Sequence, residues 1–542
     1  MGLGILEDRH LKHVPGTSVY TKDPNAIAAA TYEGVDLNTL KHGTGKSSHI
    51  ILVPQPSDDP NDPLNWPTWK KTMTFGVLIY GTVLCGALGP LVSGAQVEMA
   101  EIFGVSLSAI SRALGTTLVT TLAISTIIWA ALATKLGKRP VYITATVLMM
   151  VGCIIAGECD RYSVLLGSRI IQGAGQAPLE FLVGSSIADL YPTHQRGIPV
   201  ALWTIALLNG INVTPPISGQ VFAHLGWRWC WRIFWIACIT LLVVQIFCMP
   251  ETTYARAAPV TRVRSGEDDD SAAEKGDVLH LENSVPAKHS YFHSLKVYNG
   301  LFAPQHSFWR LLVEPLQMIV SPVVLYGGVT YGLYITYLVV IATGAAQVFA
   351  GQYGFGPVGT GNVYIAALVA DFIAAAMIGP LTDFSASFFS RRNKGIFEPE
   401  FRLPIGMIAM ALFGGFGLIG FGISAQRQDN VWGPIMSFAL LNFGITVGCS
   451  AIISYIVESH RHSSEAALGG VIFLKNALSA GFSAFTNIWI AQGIQDAFVT
   501  MGGTCVATCL LTIPMWIYGK RVRSWLSRRL KVEKEEKTLV AS

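Results

Sequence analysis

The sequence has little charge for its length. Asp, Glu, Lys and Arg make up 13% of its 542 residues, whereas apolar residues make up 51% and the mean hydropathy is +0.46. A soluble globular domain usually contains about 25% charged residues. The shortage of charge therefore argues against an ordinary water-soluble protein and indicates a chain that lies mostly in a lipid bilayer.

Motifs of enzymes and pumps are also missing. The sequence contains neither HExxH nor GxSxG, so a membrane hydrolase would lack a metal-binding or nucleophile motif. The segment KHGTGKSS at 41–48 looks like a phosphate-binding loop, but Leu40 stands where the first glycine is required and no strand precedes it. We therefore expect neither an enzyme, nor an ATP-driven pump, nor a bound cofactor.

The nine cysteines form no disulfide framework, because most of them lie in apolar runs where cysteine is usually a small packing residue. Cys505 and Cys509 share a helix face, but no His or carboxylate stands beside them, so we expect no metal site. The net charge of +4 comes from basic residues that flank the apolar runs. It therefore gives no reason to expect nucleic acid as a partner.

Long apolar runs dominate the rest of the chain. A hydrocarbon core of about 30 Å requires about 20 apolar residues in a helix, and about twelve runs meet this length, in two groups of six. The sequence thus predicts an all-α polytopic membrane protein of about twelve transmembrane helices in two pseudo-symmetric six-helix halves. The runs begin near Thr72, Leu114, Val141, Ser163, Ile198 and Ile233, and near Ile319, Thr360, Leu403, Val431, Ala466 and Ala497.

The polar segments divide the chain into five parts. We expect an N-terminal tail at 1–71, a first half at 72–250, a linker at 251–311, a second half at 312–519 and a C-terminal tail at 520–542. The first 45 or so residues are polar and are expected to be disordered, as is the charge-rich run SGEDDDSAAEKG in the linker. Lys and Arg collect in alternate connections, which predicts that both termini and the linker are cytoplasmic.

Span 4 carries an unusual polar stripe, RIIQGAGQAPLE, from Arg169 to Glu180. At about 100° per residue, Arg169, Gln176 and Glu180 share one helix face and Gln172 lies about 60° to one side. Charges inside a bilayer face a partner or a water-filled cavity rather than lipid. We therefore predict that this face forms the polar wall of a cavity, unless Arg169 or Glu180 only holds helices together.

Three further residues of this stripe affect packing. Gly173 and Gly175 allow a neighbouring helix to approach closely. Pro178 has no N–H, so it leaves the carbonyl one turn earlier without its usual donor.

The second half contains two more charges deep in apolar runs, Asp371 and Lys475. They either form a mutual ion pair, or Asp371 is a proton-binding site, since a carboxyl in a low-dielectric cavity could load and release a proton near neutral pH. Other candidates for a site that binds amphipathic molecules are Asn209 and Asn212 in span 5 and Tyr331 and Tyr334 in span 7. Each of these could instead be a packing residue.

Short motifs at the span ends resemble one family. The two halves echo each other, which is typical of secondary transporters with a substrate site between the repeats. The chain also contains the segments NWPTWKK, LATKLGKRPVY, RIIQGAGQAPLE, DLYPTHQRG, PETTY and EPEFRL. In these motifs, the chain from about Asn65 onward resembles major facilitator superfamily transporters, more narrowly the fungal twelve-span drug:proton antiporter type.

This resemblance implies a proton-coupling role for Arg169. It also implies a cytoplasmic gate, for which we predict Lys138, Arg139, Asp189, Arg196 and Asp383. The family has an Asp where this chain has Thr134, so Asp189 or Asp383 is expected to supply the carboxylate.

Span 5 departs from the antiporter pattern. GINVTPPISG at 210–219 keeps the first and last glycines and Pro215, but has Thr214 and Ser218 where glycine is expected. This departure weakens the inference to export.

The expected function is a monomeric, proton-coupled secondary transporter in the fungal plasma membrane that exports a small organic molecule by alternating access. The expected cargo is a xenobiotic or a secondary metabolite. Proton-driven uptake of a small nutrient, for example a cationic polyamine, is an alternative, and so is a nutrient receptor that does not transport. The expected partners are the small-molecule substrate, protons and the lipid bilayer.

Overall fold

The chain is almost entirely helical in the computed structural model. The structure describes residues 56–192, 195–254, 290–298, 307–393, 396–428, 430–460 and 464–541, with residues 300 and 302 and short pieces between residues 5 and 52.

The described residues up to 254 contain eight helices. A π-helical turn at Arg112–Thr117 connects α3 to α4, so that these two helices form one continuous rod. The helices are α1 (Thr68–Leu88), α2 (Gln96–Phe103), α3 (Leu107–Ser111), α4 (Leu118–Leu136), α5 (Lys138–Gly157), α6 (Tyr162–Leu190), α7 (Gly197–Leu225) and α8 (Trp227–Cys248).

The described residues from 290 onward contain eleven helices. π-Helical turns extend α11 at Ala346–Ala350 and join α14 to α15 at Met410–Gly415. The helices are α9 (Tyr291–Ser294), α10 (Phe308–Met318), α11 (Pro322–Ala345), α12 (Pro357–Asn362), α13 (Tyr364–Arg392), α14 (Leu403–Ala409), α15 (Phe416–Arg427), α16 (Trp432–Ser459), α17 (Ser464–Gln492), α18 (Ile494–Leu510) and α19 (Thr512–Ala541).

Eleven helical segments of the described chain are long and apolar enough to cross a membrane. Helix α6 is not among them, although its 29 residues are sufficient in length at about 1.5 Å per residue. It carries the polar stripe of span 4, which lowers its hydropathy. With α6 included, the helices match the predicted twelve spans, and the all-α polytopic fold is confirmed.

The buried apolar side chains form two main clusters. One cluster is built almost entirely from α1 to α8, which we call the N-terminal bundle, and the other from α10 to α19, the C-terminal bundle. The bundles meet where α7 packs against α12 and α13 and where α4 packs against α17. A site shared by both bundles must therefore lie along these helices.

The N-terminal tail is partly ordered, contrary to the expectation of disorder. Strand β1 (Ser18–Val19) pairs antiparallel with β2 (Ile396–Phe397) of the C-terminal bundle. Ile5 is buried against Phe397, and the remaining residues of the tail before residue 56 are mostly outside the described chain. The charge-rich run of the linker, at 265–276, also lies outside the described residues.

Glycines allow the close helix contacts that the polar stripe predicted. A Cβ atom at Gly173 would lie 2.5 Å from the carbonyl oxygen of Leu118, and one at Gly175 would lie 2.5 Å from that of Ala145. Real Cβ atoms do not approach backbone this closely, so α6 can pack against α4 and α5 only with glycine at these positions.

Gly175→Ala should therefore destabilise the N-terminal bundle by forcing α5 and α6 apart. Overpacking of this kind costs about 1–3 kcal/mol, which should lower the thermal unfolding midpoint of the purified protein. Gly167→Ala on the same helix is the matched control, because a Cβ atom there meets nothing within 4 Å. Equal midpoints for the two variants would contradict this packing.

Candidate functional site

A cavity of about 130 Å³ lies between the two bundles. Apolar side chains such as Leu118, Leu207 and Leu338 form most of its wall. Its polar groups are few and come from both bundles, and they include the carboxylate of Glu180 on α6 and the ammonium of Lys475 on α17. An apolar cavity with a small number of convergent polar groups is the usual form of a small-molecule site.

Glu180 and Lys475 form an ion pair across the bundle interface. The Lys475 Nζ atom donates to Glu180 Oε1, and each side chain is only 7% exposed. Asn476 Nδ2 lies 3.4 Å from the second carboxylate oxygen of Glu180. One bundle thus supplies the anion and the other supplies the cation at the polar centre of the cavity.

Of the two alternatives for Asp371 and Lys475, the mutual ion pair is not formed, because each residue has another partner. Lys475 lies on a face of α17 that is turned toward α6, whereas Asp371 lies on α13 against α7 and α16. The carboxylate of Asp371 instead accepts hydrogen bonds from Asn212 Nδ2 and Thr446 Oγ1, both at 2.7 Å. Asp371 does not line the cavity.

Arg169 is fully buried inside the N-terminal bundle rather than in the cavity wall. Its guanidinium donates to the carbonyl oxygens of Leu88 and Gly89 at 3.2 and 3.5 Å and to Gln172 Oε1 at 2.9 Å. It also lies 4.8 Å from the centre of the Trp231 ring, which gives a cation–π contact. Of the four polar residues predicted to form the cavity wall, only Gln176 and Glu180 line the cavity. Arg169 and Gln172 lie inside the N-terminal bundle.

The two glutamines of the stripe tie α6 to its neighbours. Gln172 Nε2 donates to the Gly152 carbonyl at 2.9 Å, and Gln176 Nε2 donates to the Cys85 carbonyl at 2.8 Å. The carbonyl of Ala174, which Pro178 leaves without a helical donor, accepts from Trp129 Nε1 at 2.8 Å. A side chain from α4 thus takes the place of the missing backbone bond.

Of the four candidates in spans 5 and 7, one lines the cavity and three do not. Tyr331 lines the cavity. Tyr334 does not, because its hydroxyl donates to the Met410 carbonyl at 3.0 Å within the C-terminal bundle. Asn212 contacts Asp371, and Asn209 lies one turn earlier on α7 without lining the cavity.

The predicted gating residues lie at one end of the bundles, which we call the basic end and define by Lys138, Arg139, Arg402 and Arg523. Lys138 Nζ is 2.6 Å from Asp189 Oδ2, so Asp189 rather than Asp383 supplies the carboxylate for this lysine.

The remaining predicted gating residues also have partners near their own helices. Arg139 donates to the Ile246 carbonyl at 2.8 Å, and Arg196 donates to the Ala188 carbonyl at 2.7 Å. Asp383 lies 3.5 Å from Arg402. Each of these contacts joins helices of the same bundle.

Comparison with known proteins identifies the family. The model of the Major Facilitator Superfamily matches residues 73–484. The chain belongs to the Major Facilitator Superfamily. It is therefore a multi-pass membrane transporter that takes a small-molecule substrate, and it is not an enzyme, as the sequence predicted.

The relatives in this superfamily are distant in sequence but similar in length. Protein HOL1 of Saccharomyces cerevisiae is 25% identical, and the match covers 96% of this chain and 97% of that protein. The MFS-type transporter penM of Penicillium rubens is 25% identical, with 86% and 88% covered. The crystal structure of the D-xylose-proton symporter has a TM-score of 0.55 and 16% identity, with 81% of this chain and 97% of that one covered.

A buried charge cluster that was not predicted from the sequence lies at the basic end of this transporter. Arg523 Nη2 lies 2.7 Å from Glu398 and 2.9 Å from Glu400, and all three side chains are at most 1% exposed. Burial raises the pKa of the Glu398 carboxyl, but Arg523, Thr17 and Lys520 together outweigh it, so the net pKa is lowered. The two acids of EPEFRL beside an apolar run were the available signal.

A second missed residue is Glu251 of the PETTY motif. Its carboxylate accepts from the backbone N–H groups of Lys138 and Arg139 at 3.0 Å each, at the first turn of α5. A carboxylate at a helix N-terminus stabilises the unpaired N–H groups and the positive end of the helix dipole. Glu251 therefore fixes the start of α5, where the gating candidates lie.

Lys475→Met should destabilise the protein because it leaves the Glu180 carboxylate buried without its cation. Removing one partner of a buried pair costs about 3–5 kcal/mol. The double variant Glu180→Gln with Lys475→Met should lose much less stability than the sum of the single variants. Thermal unfolding of the four proteins in detergent gives the interaction energy.

The exposed pair Lys41–Asp58 is the matched control for this cycle, since its side chains are 42% and 84% exposed. Lys41→Met should change the unfolding midpoint little. Additive losses in the Glu180–Lys475 cycle would contradict the buried pair.

Proposed function

We propose that this protein is a proton-coupled secondary transporter that exports a small organic molecule by alternating access. The observation that carries the proposal is the ion pair of Glu180 and Lys475 in a cavity between the two bundles. Substrate bound here contacts both bundles at once. Movement of one bundle against the other then changes which side of the membrane the cavity faces.

The cavity wall favours an amphipathic cargo. Its volume of about 130 Å³ is similar to the apolar cavities of about 150 Å³ that hold benzene in other proteins. Apolar residues offer contact to a hydrocarbon or aromatic part, while Tyr331 and the ion pair offer a polar end. A xenobiotic or a secondary metabolite has this composition.

Cargo transport is coupled to proton movement because the cargo and the proton compete for the Glu180 carboxylate. The carboxylate is paired with the Lys475 ammonium, and a proton or a cationic group of the cargo can replace that ammonium as its partner. Cargo and proton then exclude each other at one site, which is the basis of antiport. Either of them also breaks the contact between the bundles, so binding is linked to movement.

Uptake of a small cationic nutrient is the second candidate. Lys475 demonstrates that the carboxylate of Glu180 accepts a primary ammonium group, which a polyamine also carries. Thr214 and Ser218 in span 5 replace glycines of the antiporter pattern, which favours this direction.

The arrangement in the membrane follows the charge distribution. We propose that the basic end faces the cytoplasm with both termini, and that the halves 72–250 and 312–519 move as two bodies joined by the linker 251–311. The excess of Lys and Arg at this end supports the orientation. We further propose that the protein acts as a monomer in the fungal plasma membrane.

Transport of labelled compounds in a transporter-deficient fungal host tests the proposal. The panel contains organic cations, polyamines and hydrophobic drugs, each measured with and without a protonophore. Export predicts lower accumulation of at least one compound with the wild-type protein, and loss of this difference with the protonophore. Glu180→Gln should reduce transport about tenfold or more, because it removes a charge-assisted contact.

Glu158→Gln is the matched control, because Glu158 is 58% exposed and pairs with Arg232 outside the cavity. It should transport like the wild type. Higher accumulation of a compound in cells with the wild-type protein would indicate uptake instead of export. Binding of a compound without any change in its accumulation would indicate a receptor. Full activity of Glu180→Gln would contradict the coupling role of Glu180.

A further inference from the structure

A second buried carboxylate lies between the bundles, away from the cavity. Asp371 lies in the first third of α13 and is 1% exposed. The side chains that face lipid on this helix, such as Phe372 and Ile373, are more than half exposed, so Asp371 is on the opposite, interior side. The mechanism proposed for the cavity makes no use of it.

The partners of Asp371 are all neutral. Asn212 Nδ2 and Thr446 Oγ1 each donate to one carboxylate oxygen at 2.7 Å. Asn212 Nδ2 also lies 3.0 Å from Asn442 Oδ1, whose own amide donates to the Phe438 carbonyl at 2.9 Å. No Lys, Arg or His of the described chain lies within ion-pair distance of Asp371, so no cation holds it in the ionised form.

Among the described residues, the thiol of Cys449 interacts electrostatically with both the Asp371 carboxylate and the Lys475 ammonium. Cys449 lies on α16 near the carboxylate, and α7 and α14 present no charged side chain to it within the described part of the chain. The proton state of Asp371 is therefore decided by its own burial and by the neutral donors.

Neutral amide partners can serve both proton states of a carboxyl group. An ionised Asp371 accepts from the Asn212 amide nitrogen, as observed. A protonated Asp371 needs an acceptor for its hydrogen, and the Asn212 Oδ1 atom is buried without any hydrogen-bond partner. Rotation of the Asn212 amide would supply that acceptor. An arginine or lysine in this position could not do so.

This cluster also joins the two bundles. Asn212 belongs to α7 of the N-terminal bundle, whereas Asp371, Asn442 and Thr446 belong to the C-terminal bundle. One turn further along α7, the Pro215 carbonyl packs so closely against Gly361 of α12 that a Cβ atom would not fit. Separation of the bundles here would expose Asp371 to water, and their closure would bury it again.

We propose that Asp371 is a proton-binding site, separate from the cargo site, that exchanges its proton when α7 moves away from α12 and α13. The proposal rests on the proposed proton-coupled transport for its role, but proton binding itself requires no cargo. The proton adds to one carboxylate oxygen and leaves from the same oxygen, so no other bond changes.

Infrared difference spectroscopy of the purified full-length protein in lipid nanodiscs tests this site with the proton as the only ligand. The carbonyl stretch of protonated Asp371 should disappear as the pH is raised, and it should appear in the wild-type minus Asp371→Asn difference, in which any band from Glu180 cancels. Asp383→Asn, on the same helix but with a side chain that is 75% exposed, is the matched control and should retain the band.

Thr446→Val provides a second readout if Asp371→Asn does not fold. It removes a hydrogen bond that stabilises the ionised carboxylate, so the midpoint of the band should move up by about one to two pH units. A wild-type minus Asp371→Asn difference without a titrating band, or an unchanged midpoint in Thr446→Val, would overturn the proposal.

The outcomes also separate this site from the proposed transport. If the titrating band is lost in Glu180→Gln but fully retained in Asp371→Asn, the proton binds at Glu180. That result would exclude Asp371 as a proton site and would leave the proposed proton-coupled transport intact. Loss of the band in Asp371→Asn without transport of any compound in the panel would support the proton site while the proposed function fails.

Discussion

An ionised side chain at the centre of a bilayer costs about 2.5–3.5 kcal/mol even on insertion scales, and more by simulation, so each one must be met by a partner. Three different solutions occur in this transporter. Arg169 is surrounded by carbonyl oxygens and an aromatic ring, Glu180 is paired with Lys475, and Asp371 is hydrogen-bonded by neutral groups. The first solution is permanent because it lies within one bundle, whereas the other two depend on the bundles staying together.

This difference suggests how the molecule can move without losing its fold. The ion pairs at the basic end, such as Lys138 with Asp189 and Arg402 with Glu458, connect helices of the same bundle. The buried polar contacts of Glu180 and Asp371 connect different bundles. A rocking motion would leave the former intact and break the latter. Proton and cargo are expected to act on the contacts that must break.

The sequence was sufficient to predict the spans, since hydropathy and length are properties of each segment alone. It was also sufficient to predict which residues of span 4 share a face and where glycine allows close packing. It could not predict the partners. Helical periodicity defines directions around one helix, but the partner of Lys475 depends on which helix lies opposite, and Glu180 is nearly 300 residues away in the chain.

The polar stripe of α6 illustrates the same limit. Arg169 and Glu180 do share a helix face, but about 16 Å of helix separates them, and they meet different neighbours along that distance. The sequence left two alternatives for Tyr334, because a tyrosine in a span is consistent with both a cavity wall and an interior hydrogen bond. Asn442 and Thr446 were overlooked, although their spacing of four residues places them on one face of α16.

The most direct test of the account is a pair of distance distributions by electron spin resonance on the purified transporter. One pair of labels, at Thr134 and Arg391, spans the bundles at the basic end, and another, at Glu158 and Arg427, spans them at the opposite end. All four side chains are exposed. Under alternating access, a change of pH should lengthen one distance and shorten the other. Distances that change in the same direction, or that do not change, would contradict alternating access driven by the contacts between the bundles.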